Sequence, residues 1–457
     1  MSSYLYQIKE KITEKEKQWD VFKKYTNPYE YIHTTVPQKK KSVSKYKPIS
    51  RSFFKMVEMA HTFRMYFRAP IHSFHLAEGP GGFIEAMVFL RNEPRDRYIG
   101  MTLQDPGKND PNIPGWKKSE GFMKSHPNVS LENGADQTGN LLSVDNFAYV
   151  VAKYGGQMDL VTADGGFDFS MDFNQQERMI GKLLFAQMAF ALCLNKYRGH
   201  FVLKIFDCFM PHTIDILYIL SSFYEKVFVI KPHTSRYANS ERYVVCLGFL
   251  YDTNAGFYPY LLACFREMME NPEGMPFRFL NVDIFQVFSK KIEEYNAIFG
   301  QKQIQNIMYT LSLIDNKGKA EKMESLMQTN IQKSADWCAR FQVPFHSALS
   351  PSNLFLTCEV DGWNVPSYAL AYPLSNNHQP IISRIFLVAG SLDEPFYYTI
   401  LHSKRALVTV TLQLINLLLY PRNRQRRFIP VKIYTSEDLK WDAPKGRYFK
   451  SLLISDP

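Results

Sequence analysis

Apolar residues change their spacing along this chain in a way that marks out its elements. Between Ser50 and Arg68, RSFFKMVEMAHTFRMYFR carries them at helical intervals. Short apolar runs then alternate with helical stretches. HSFHLA (72–77), RYIGMTL (97–103), MDLVTA (158–163), GHFVLKIF (199–206), KVFVIKP (226–232) and ERYVVCLGFL (241–250) read as strands. FIEAMVFLR (83–91), roughly 174–196, and a segment after Pro211 read as helices. Residues 104–140 are rich in Pro, Gly, Asn and Asp and predict loops, with a short strand near Asn128–Leu131. This rhythm predicts an α/β domain with a mostly parallel sheet. The loop between the last two strands is too short for a helical crossover, so they should form an antiparallel hairpin at the sheet edge.

Outside that block the pattern differs. Residues 1–50 are polar, with Lys39-Lys40-Lys41, Lys45 and Lys47, and predict a short helix followed by a basic, extended arm. Residues 255–330 look helical, whereas 340–457 mix short strands, loops and one helix at 403–419, then the run Arg422, Arg424, Arg426 and Arg427. The expected organisation is a basic N-terminal extension (1–50), the α/β domain (51–254) and a C-terminal α+β accessory region (255–457).

Composition narrows the functional classes. With 457 residues and 46% hydrophobic positions the chain holds two or three cored domains and is not mainly disordered. Charges interrupt every apolar stretch well short of the ~20 residues a membrane span needs, and the N-terminus has no apolar signal core. Six scattered cysteines without a C-x-x-C pair argue against a zinc site or a disulfide framework. These features predict a soluble intracellular protein without membrane contact, with nucleus and cytoplasm equally open. The net charge of +10 is concentrated at the ends: residues 1–51 hold +7, 402–450 hold +8, and the rest sums to −5. Positive ends around a slightly acidic middle point to a polyanionic partner such as nucleic acid. The 15% aromatic content includes rings able to stack on bases.

Four places carry candidate chemistry. Glu78-Gly79-Pro80-Gly81-Gly82-Phe83 joins a strand to a helix, where glycines let backbone approach a ligand; it lacks the dinucleotide G-x-G-x-x-G spacing, which disfavours an oxidoreductase. Asp164-Gly165-Gly166 follows a strand, where a carboxylate either holds a ligand or caps a turn. Lys204 interrupts an apolar strand, and a lysine there is costly to bury unless it is used. Glu241 opens the final strand. Lys204 should lie one strand from Asp164 at the same rim, so that a lysine poised by carboxylates can act on a weakly acidic hydroxyl.

With these motifs in order, the stretches RSFFKMVE, AEGPGGF, IGMTL, ADGGFD, GHFVLKIFD and KPHTSRYANSERYVVCLGF over about 50–250 resemble the FtsJ-like (RrmJ-like) ribose 2′-O-methyltransferases. The phrase SERYVVC is most similar to the eukaryotic and large-virus cap-specific mRNA enzymes of that family. The resemblance implies a Rossmann-like S-adenosylmethionine-dependent methyltransferase fold whose last strand is antiparallel. It implies a catalytic tetrad of Lys55, Asp164, Lys204 and Glu241, with Lys204 as the base or hydroxyl-orienting group. The cofactor would be S-adenosylmethionine, leaving as S-adenosylhomocysteine, held by Glu78, Gly79, Pro80, Gly81, Gly82 and Phe83, by Asp136 at the adenine and by Asp164; no metal is implied. The ribose contact falls on Gln104 or Asp105.

The implied substrate is the 2′-OH of the first transcribed nucleotide of capped RNA. Alternatives are the second cap nucleotide, an internal ribosomal or transfer RNA ribose, and a non-catalytic RNA-binding subunit of a capping complex. Basic residues near the rim, Lys39, Lys40, Lys41, Arg51, Lys117, Lys118 (beside Trp116) and Arg236, are the expected RNA contacts. Glu359-Val360-Asp361-Gly362 is similar to the nucleotidyltransferase Lys-x-Asp-Gly motif with its lysine replaced, which implies a non-catalytic, RNA- or partner-binding role for 255–457, other capping or transcription proteins among the partners.

Overall fold

The computed structural model describes residues 2–346 apart from 66, 68, 105–112, 114, 167–175, 272–277, 281–283 and 317–318, and the backbone of three later strands. In chain order come α1 (Ser2–Thr13), α2 (Glu16–Phe22), a 3-10 turn (Glu30–Ile32), α3 (Ser52–Thr62), β1 (His72–Leu76), α4 (Gly82–Arg91), β2 (Arg97–Met101), α5 (Glu120–Ser125), β3 (Val129–Leu131) and α6 (Val144–Tyr154). Then follow β4 (Met158–Ala163), α7 (Gln176–Met179), α8 (Gly181–Leu194), β5 (Asn195–Ile205), α9 (Pro211–Phe223), β6 (Tyr224–Ile230) and β7 (Arg242–Phe249). The chain continues with α10 (Tyr258–Glu270), α11 (Gln286–Asp315), α12 (Ala320–Arg340), β8 (Ala369–Leu370), β9 (Arg384–Val388) and β10 (Tyr397–Leu401). The Glu359–Gly362 motif, Asp105, the 403–419 helix and the arginine run from Arg422 lie outside the described residues.

The strands form one sheet in the order β3-β2-β1-β4-β5-β7-β6-β10-β9-β8. From β3 to β6, β7 alone runs against its neighbours. This is the mostly parallel sheet with a reversed last strand that the methyltransferase resemblance implies. The β6–β7 hairpin forms, but β7 sits inside the sheet, between β5 and β6, and β6 in turn pairs with β10. The reason lies in β7 itself: Tyr243 and Val245 face one core while Val244 and Cys246 face the other. A strand apolar on both faces belongs where both faces are covered.

Helices cover the sheet on both sides. On one, α6, α8, α9 and α10 build an aromatic core around Phe147, Phe185, Phe190 and Phe265. α8 is buried nearly all round, which fits its uniformly apolar sequence GKLLFAQMAFALCL. On the other side α3, α4 and α12 enclose Phe53, Phe54, Val57, Ile84 and Trp337. The predicted 174–196 helix is divided into α7 and α8, and β5 begins directly at Asn195. α6, absent from the predicted elements, starts at a Ser143 N-cap whose hydroxyl accepts the Asn146 amide at 3.3 Å.

The N-terminal stretch holds two helices where the sequence predicts one. Leu5, Ile8, Ile12 and Trp19 of α1 and α2 pack against Ile304, Ile307 and Leu311 of α11. The segment beyond them is tied down as well, by a bridge between Ser44 and Phe345 and by the Ile49 amide donating to Glu85 at 2.7 Å. Cys193, Cys208, Cys246, Cys264 and Cys338 are buried free thiols. Among the described residues no helix is long and apolar enough to cross a membrane.

Candidate active site

Parallel pairing aligns the carboxyl ends of three central strands. Leu76 of β1 pairs with Ala163 of β4, and Ala163 pairs with Leu203 of β5. Ala77 and Asp164, which follow β1 and β4, and Lys204, next to last in β5, therefore lie at one rim. β7 runs the other way and sets Tyr243 opposite Lys204, which brings Glu241, just before β7, to the same rim. Ligand sites of open α/β sheets form at such strand ends.

The fourth residue arrives from α3. Gly82 begins α4, and a Cβ there would overlap Ser50 Oγ and crowd Ser52 Cβ at 3.0 Å. Its lack of a side chain lets the start of α3 lie against the start of α4. From that position Ser52 Oγ donates to Asp164 Oδ2 at 2.7 Å. One turn on, Lys55 Nζ donates to Glu241 Oε2 at 2.8 Å. Gly79 is confined in the same way by the Gly115 carbonyl, and Gly81, at φ 108°, adopts a conformation that favours glycine. The crowding at these glycines comes from the protein's own backbone and side chains.

Lys204 Nζ donates to the Asp164 carbonyl at 2.6 Å and stands 3.3 Å from Asp164 Oδ1. Tyr243 OH donates to that same Oδ1 at 2.9 Å, and the Lys55 ammonium lies 5.8 Å from the centre of the Tyr243 ring. The structure thus brings Lys55, Asp164, Lys204 and Glu241 into one cluster, with Tyr243 between the pairs. Burial opposes the charge on Glu241, but Lys55 and Lys204 outweigh it and hold the carboxyl at about 2. Burial, and then the charge of Asp164, keep the Tyr243 phenol well above its usual range, so it stays a donor.

Glu78 ends β1's loop and is buried. Its Oε1 accepts the Phe83 amide at 2.5 Å, while Oε2 is buried without a hydrogen-bond partner. Burial, and then Asp164, push this carboxyl well above the normal carboxylate range. A buried acceptor left open beside Asp164 fits the ammonium end of a bound S-adenosylmethionine. Asp136 is exposed in the loop after β3, where its Oδ1 accepts the Thr138 amide at 2.9 Å, the Thr138 hydroxyl at 2.6 Å and Asn146 Nδ2 at 2.8 Å. Partial burial disfavours its charge, but these bonds hold the carboxyl below its ordinary value. Gln104, the remaining ribose candidate, turns its side-chain amide to the Thr102 carbonyl at 2.8 Å.

The expected RNA contacts separate into two groups. Lys39, Lys40, Lys41, Lys117 and Lys118 are exposed. Arg51 and Arg236 are engaged with Glu30, buried in the N-terminal segment: Arg236 makes two bonds to it at 3.0 and 2.6 Å, and Arg51 approaches to 3.7 Å. Trp116 is buried beneath the glycine loop, so its ring is not offered for stacking.

Several residues around the cluster are not among the sequence-predicted ones. Ser52 and Tyr243 orient Asp164. Glu58, one turn beyond Lys55, accepts the His233 amide at 2.7 Å and side chain at 2.8 Å, the Thr234 hydroxyl at 3.2 Å and Trp337 Nε1 at 3.1 Å. It joins α3 to the loop before Glu241 and to α12. Lys231 closes that loop by donating to the Asn239 and Glu241 carbonyls at 2.7 and 2.8 Å, and burial draws its amine down to about 7. Glu58 has a signal in its spacing from Lys55 on one helix face; the others have none apart from lying within the motif stretches.

A profile of the family described as FtsJ-like methyltransferase matches residues 48–249. Cap-specific mRNA (nucleoside-2'-O-)-methyltransferase 1 of Trypanosoma cruzi is 34% identical over 233 residues, 49% of this chain and 61% of that protein. The protein of the same name from Trypanosoma brucei brucei is 30% identical over 256 residues, 54% of this chain and 66% of its own length. The chain spans under two thirds of the length of these curated relatives. A solved structure described as a ribosomal RNA methyltransferase from Plasmodium falciparum is 18% identical, with a TM-score of 0.32 over 44% of this chain and 98% of that one.

Proposed function

Because residues 48–249 match the profile of the FtsJ-like methyltransferase family, we propose that the chain methylates the ribose 2′-OH of the first transcribed nucleotide of capped mRNA. The reading rests on one observation above the others: the Lys204 amine is held by two oxygens of one residue, Asp164, beside the buried Lys55–Glu241 pair.

S-adenosylmethionine, when bound, supplies the electrophilic methyl group. The chain's own residues prepare the hydroxyl. A neutral lysine amine has two N–H bonds and one lone pair. The Asp164 carbonyl takes one N–H bond, and Asp164 Oδ1, 3.3 Å away, keeps the amine at the rim with its lone pair available. The lone pair then accepts the 2′-hydroxyl proton as that oxygen becomes nucleophilic. Lys55 and Glu241 pair with each other, which keeps α3 at the rim where the hydroxyl must be presented. Asp164 is itself held by Ser52 and Tyr243, so the acceptors do not drift.

The selected atom is absent from DNA, so RNA selectivity follows from the chemistry. Exposed Lys39, Lys40, Lys41, Lys117 and Lys118 supply the phosphate contacts in this reading, while Arg51 and Arg236 are held by Glu30. Residues 255–457 serve as a non-catalytic RNA- or partner-binding region.

Methyl transfer from labelled S-adenosylmethionine to three short RNAs tests the proposal. Label should enter a capped RNA and spare both an uncapped RNA and one already 2′-O-methylated at its first nucleotide. Label in the pre-methylated RNA moves the site to the second nucleotide, and label in uncapped RNA moves it to internal riboses. No label at all, with cofactor bound, returns a non-catalytic RNA-binding subunit.

A further inference from the structure

Helix α1 lies outside residues 48–249, yet one of its side chains ends directly behind the candidate active site. Lys9 is only 4% exposed. Its Nζ donates to Asp207 Oδ2 at 2.9 Å and to Ser240 Oγ at 2.8 Å, and Ser240 donates to the same Oδ2 at 2.9 Å. Asp207 follows Lys204 by three residues, and Ser240 immediately precedes Glu241. The triangle of Lys9, Asp207 and Ser240 therefore ties the end of β5 to the entry of β7. From α11, Gln303 Nε2 closes it with bonds to Ser240 Oγ at 3.2 Å and to the Ala238 carbonyl at 2.9 Å.

We propose that Lys9 is a positioning residue for methyl transfer, acting through Asp207 and Ser240 to hold Lys204 and Glu241 in register. The inference rests on the functional reading above. Asp207 is buried and needs a cation. Its other neighbour, Arg242, stands 3.5 Å from Oδ1 and also donates to Asn296 at 3.2 Å. The remaining charged or titratable groups acting on Asp207 from the packed elements are Tyr6 of α1, Glu177 of α7, Cys208 and Lys231. Burial opposes the Asp207 charge, and Lys9, followed by Arg242, overcomes this and holds the carboxyl below its ordinary value. Without Lys9, a buried carboxylate loses its closest cation and Ser240 loses a donor. Such a site relaxes by taking a proton or by moving, and either change shifts the residue next to Glu241.

The test uses the full chain. Lys9→Met should lower kcat for transfer about tenfold, the scale on which small misplacements act, with the KM for S-adenosylmethionine unchanged. Lys9→Met combined with Asp207→Asn should recover most of that loss, because asparagine still accepts from Ser240 and carries no charge to compensate. Ile8→Ala, on the same helix and packed on α11, should lower Tm and leave kcat in place.

A second readout needs no activity. In the wild type the lowered Asp207 pKa contributes stability above its unfolded value, which is lost as pH falls. In Lys9→Met the folded pKa rises, so the variant's deficit relative to wild type should shrink on acidification. Lys9→Gln, which keeps a donor and drops the charge, should show the same trend if the methionine variant does not fold. A wild-type chain that transfers no methyl counts against the proposed function. A Lys9→Met variant with wild-type kcat, a double variant with no recovery, or a deficit independent of pH overturns this inference alone.

Discussion

Gly82 and Ser50 pack so closely that a methyl group at position 82 would overlap Ser50 Oγ, with Ser52 Cβ and the Phe53 amide just behind at 3.0 and 3.1 Å. The contact sets how near α3 comes to the rim, and α3 carries both Ser52 and Lys55. Gly82→Ala must therefore push α3 away or strain α4. Overpacking of this kind costs about 1–3 kcal/mol. Thermal unfolding should show that loss, and the transfer rate should fall with it as Lys55 leaves Glu241. An alanine variant with wild-type Tm and rate would contradict this account of the glycine.

Burial, and then Asp164, raise the Glu78 carboxyl well above its ordinary value in the free chain. A cationic ligand beside Oε2 favours the charged form, so S-adenosylmethionine binding should release protons over the pH range between the free and bound pKa values and tighten as pH rises through it. Calorimetry in two buffers of different ionisation heat measures the release directly. Glu78→Gln should abolish it and weaken binding about tenfold or more, the scale of a hydrogen bond to a charged group.

Glu241 has the opposite sign. Its folded pKa of about 2 lies below the ordinary 4.5. It contributes stability that is complete above 4.5 and lost as pH falls toward 2. Glu241→Gln should be clearly less stable than wild type at pH 7, and the gap should narrow steadily below pH 4.5 in denaturant titrations. A gap of constant size would mean that the Lys55–Glu241 pair does not set this carboxyl's ionisation.

Trp337 reaches Glu58 from α12, beyond the family-matched residues. Trp337→Phe removes one N–H donor and keeps a ring against Phe54 and Phe341, so it should cost about 1 kcal/mol. Glu58→Ala should cost considerably more, because it strands the buried His233 and Thr234 amides. Equal losses for the two variants in chemical unfolding would rule out Glu58 as the hub.

Much of this arrangement is legible in the sequence, for identifiable reasons. Leu160-Val161 of β4 and Phe201-Val202-Leu203 of β5 are apolar on both faces because both faces of these strands are covered, and Lys204 stands out at the end of such a run, whereas β1 is buried with Ser73 and His75 bonded to each other. The central place of β7 is harder to see, since a short loop fixes its antiparallel sense and says nothing of which strand lies on its far side. Lys9 illustrates the limit most clearly. On an amphipathic, lysine-rich helix it reads as one more solvated charge, and its partners stand 198 and 231 residues away. Arg51 and Arg236 likewise read as free RNA contacts, whereas a buried glutamate from the N-terminal segment engages both.

The central claim is that the Lys204 amine acts on the hydroxyl and not on the cofactor. Its most direct test compares Lys204→Ala with wild type in two assays on the same preparation, S-adenosylmethionine binding and methyl transfer to capped RNA. The account predicts unchanged binding and a transfer rate reduced at least 100-fold, the lower end of general-base contributions. Transfer at the wild-type rate by the alanine variant would contradict it.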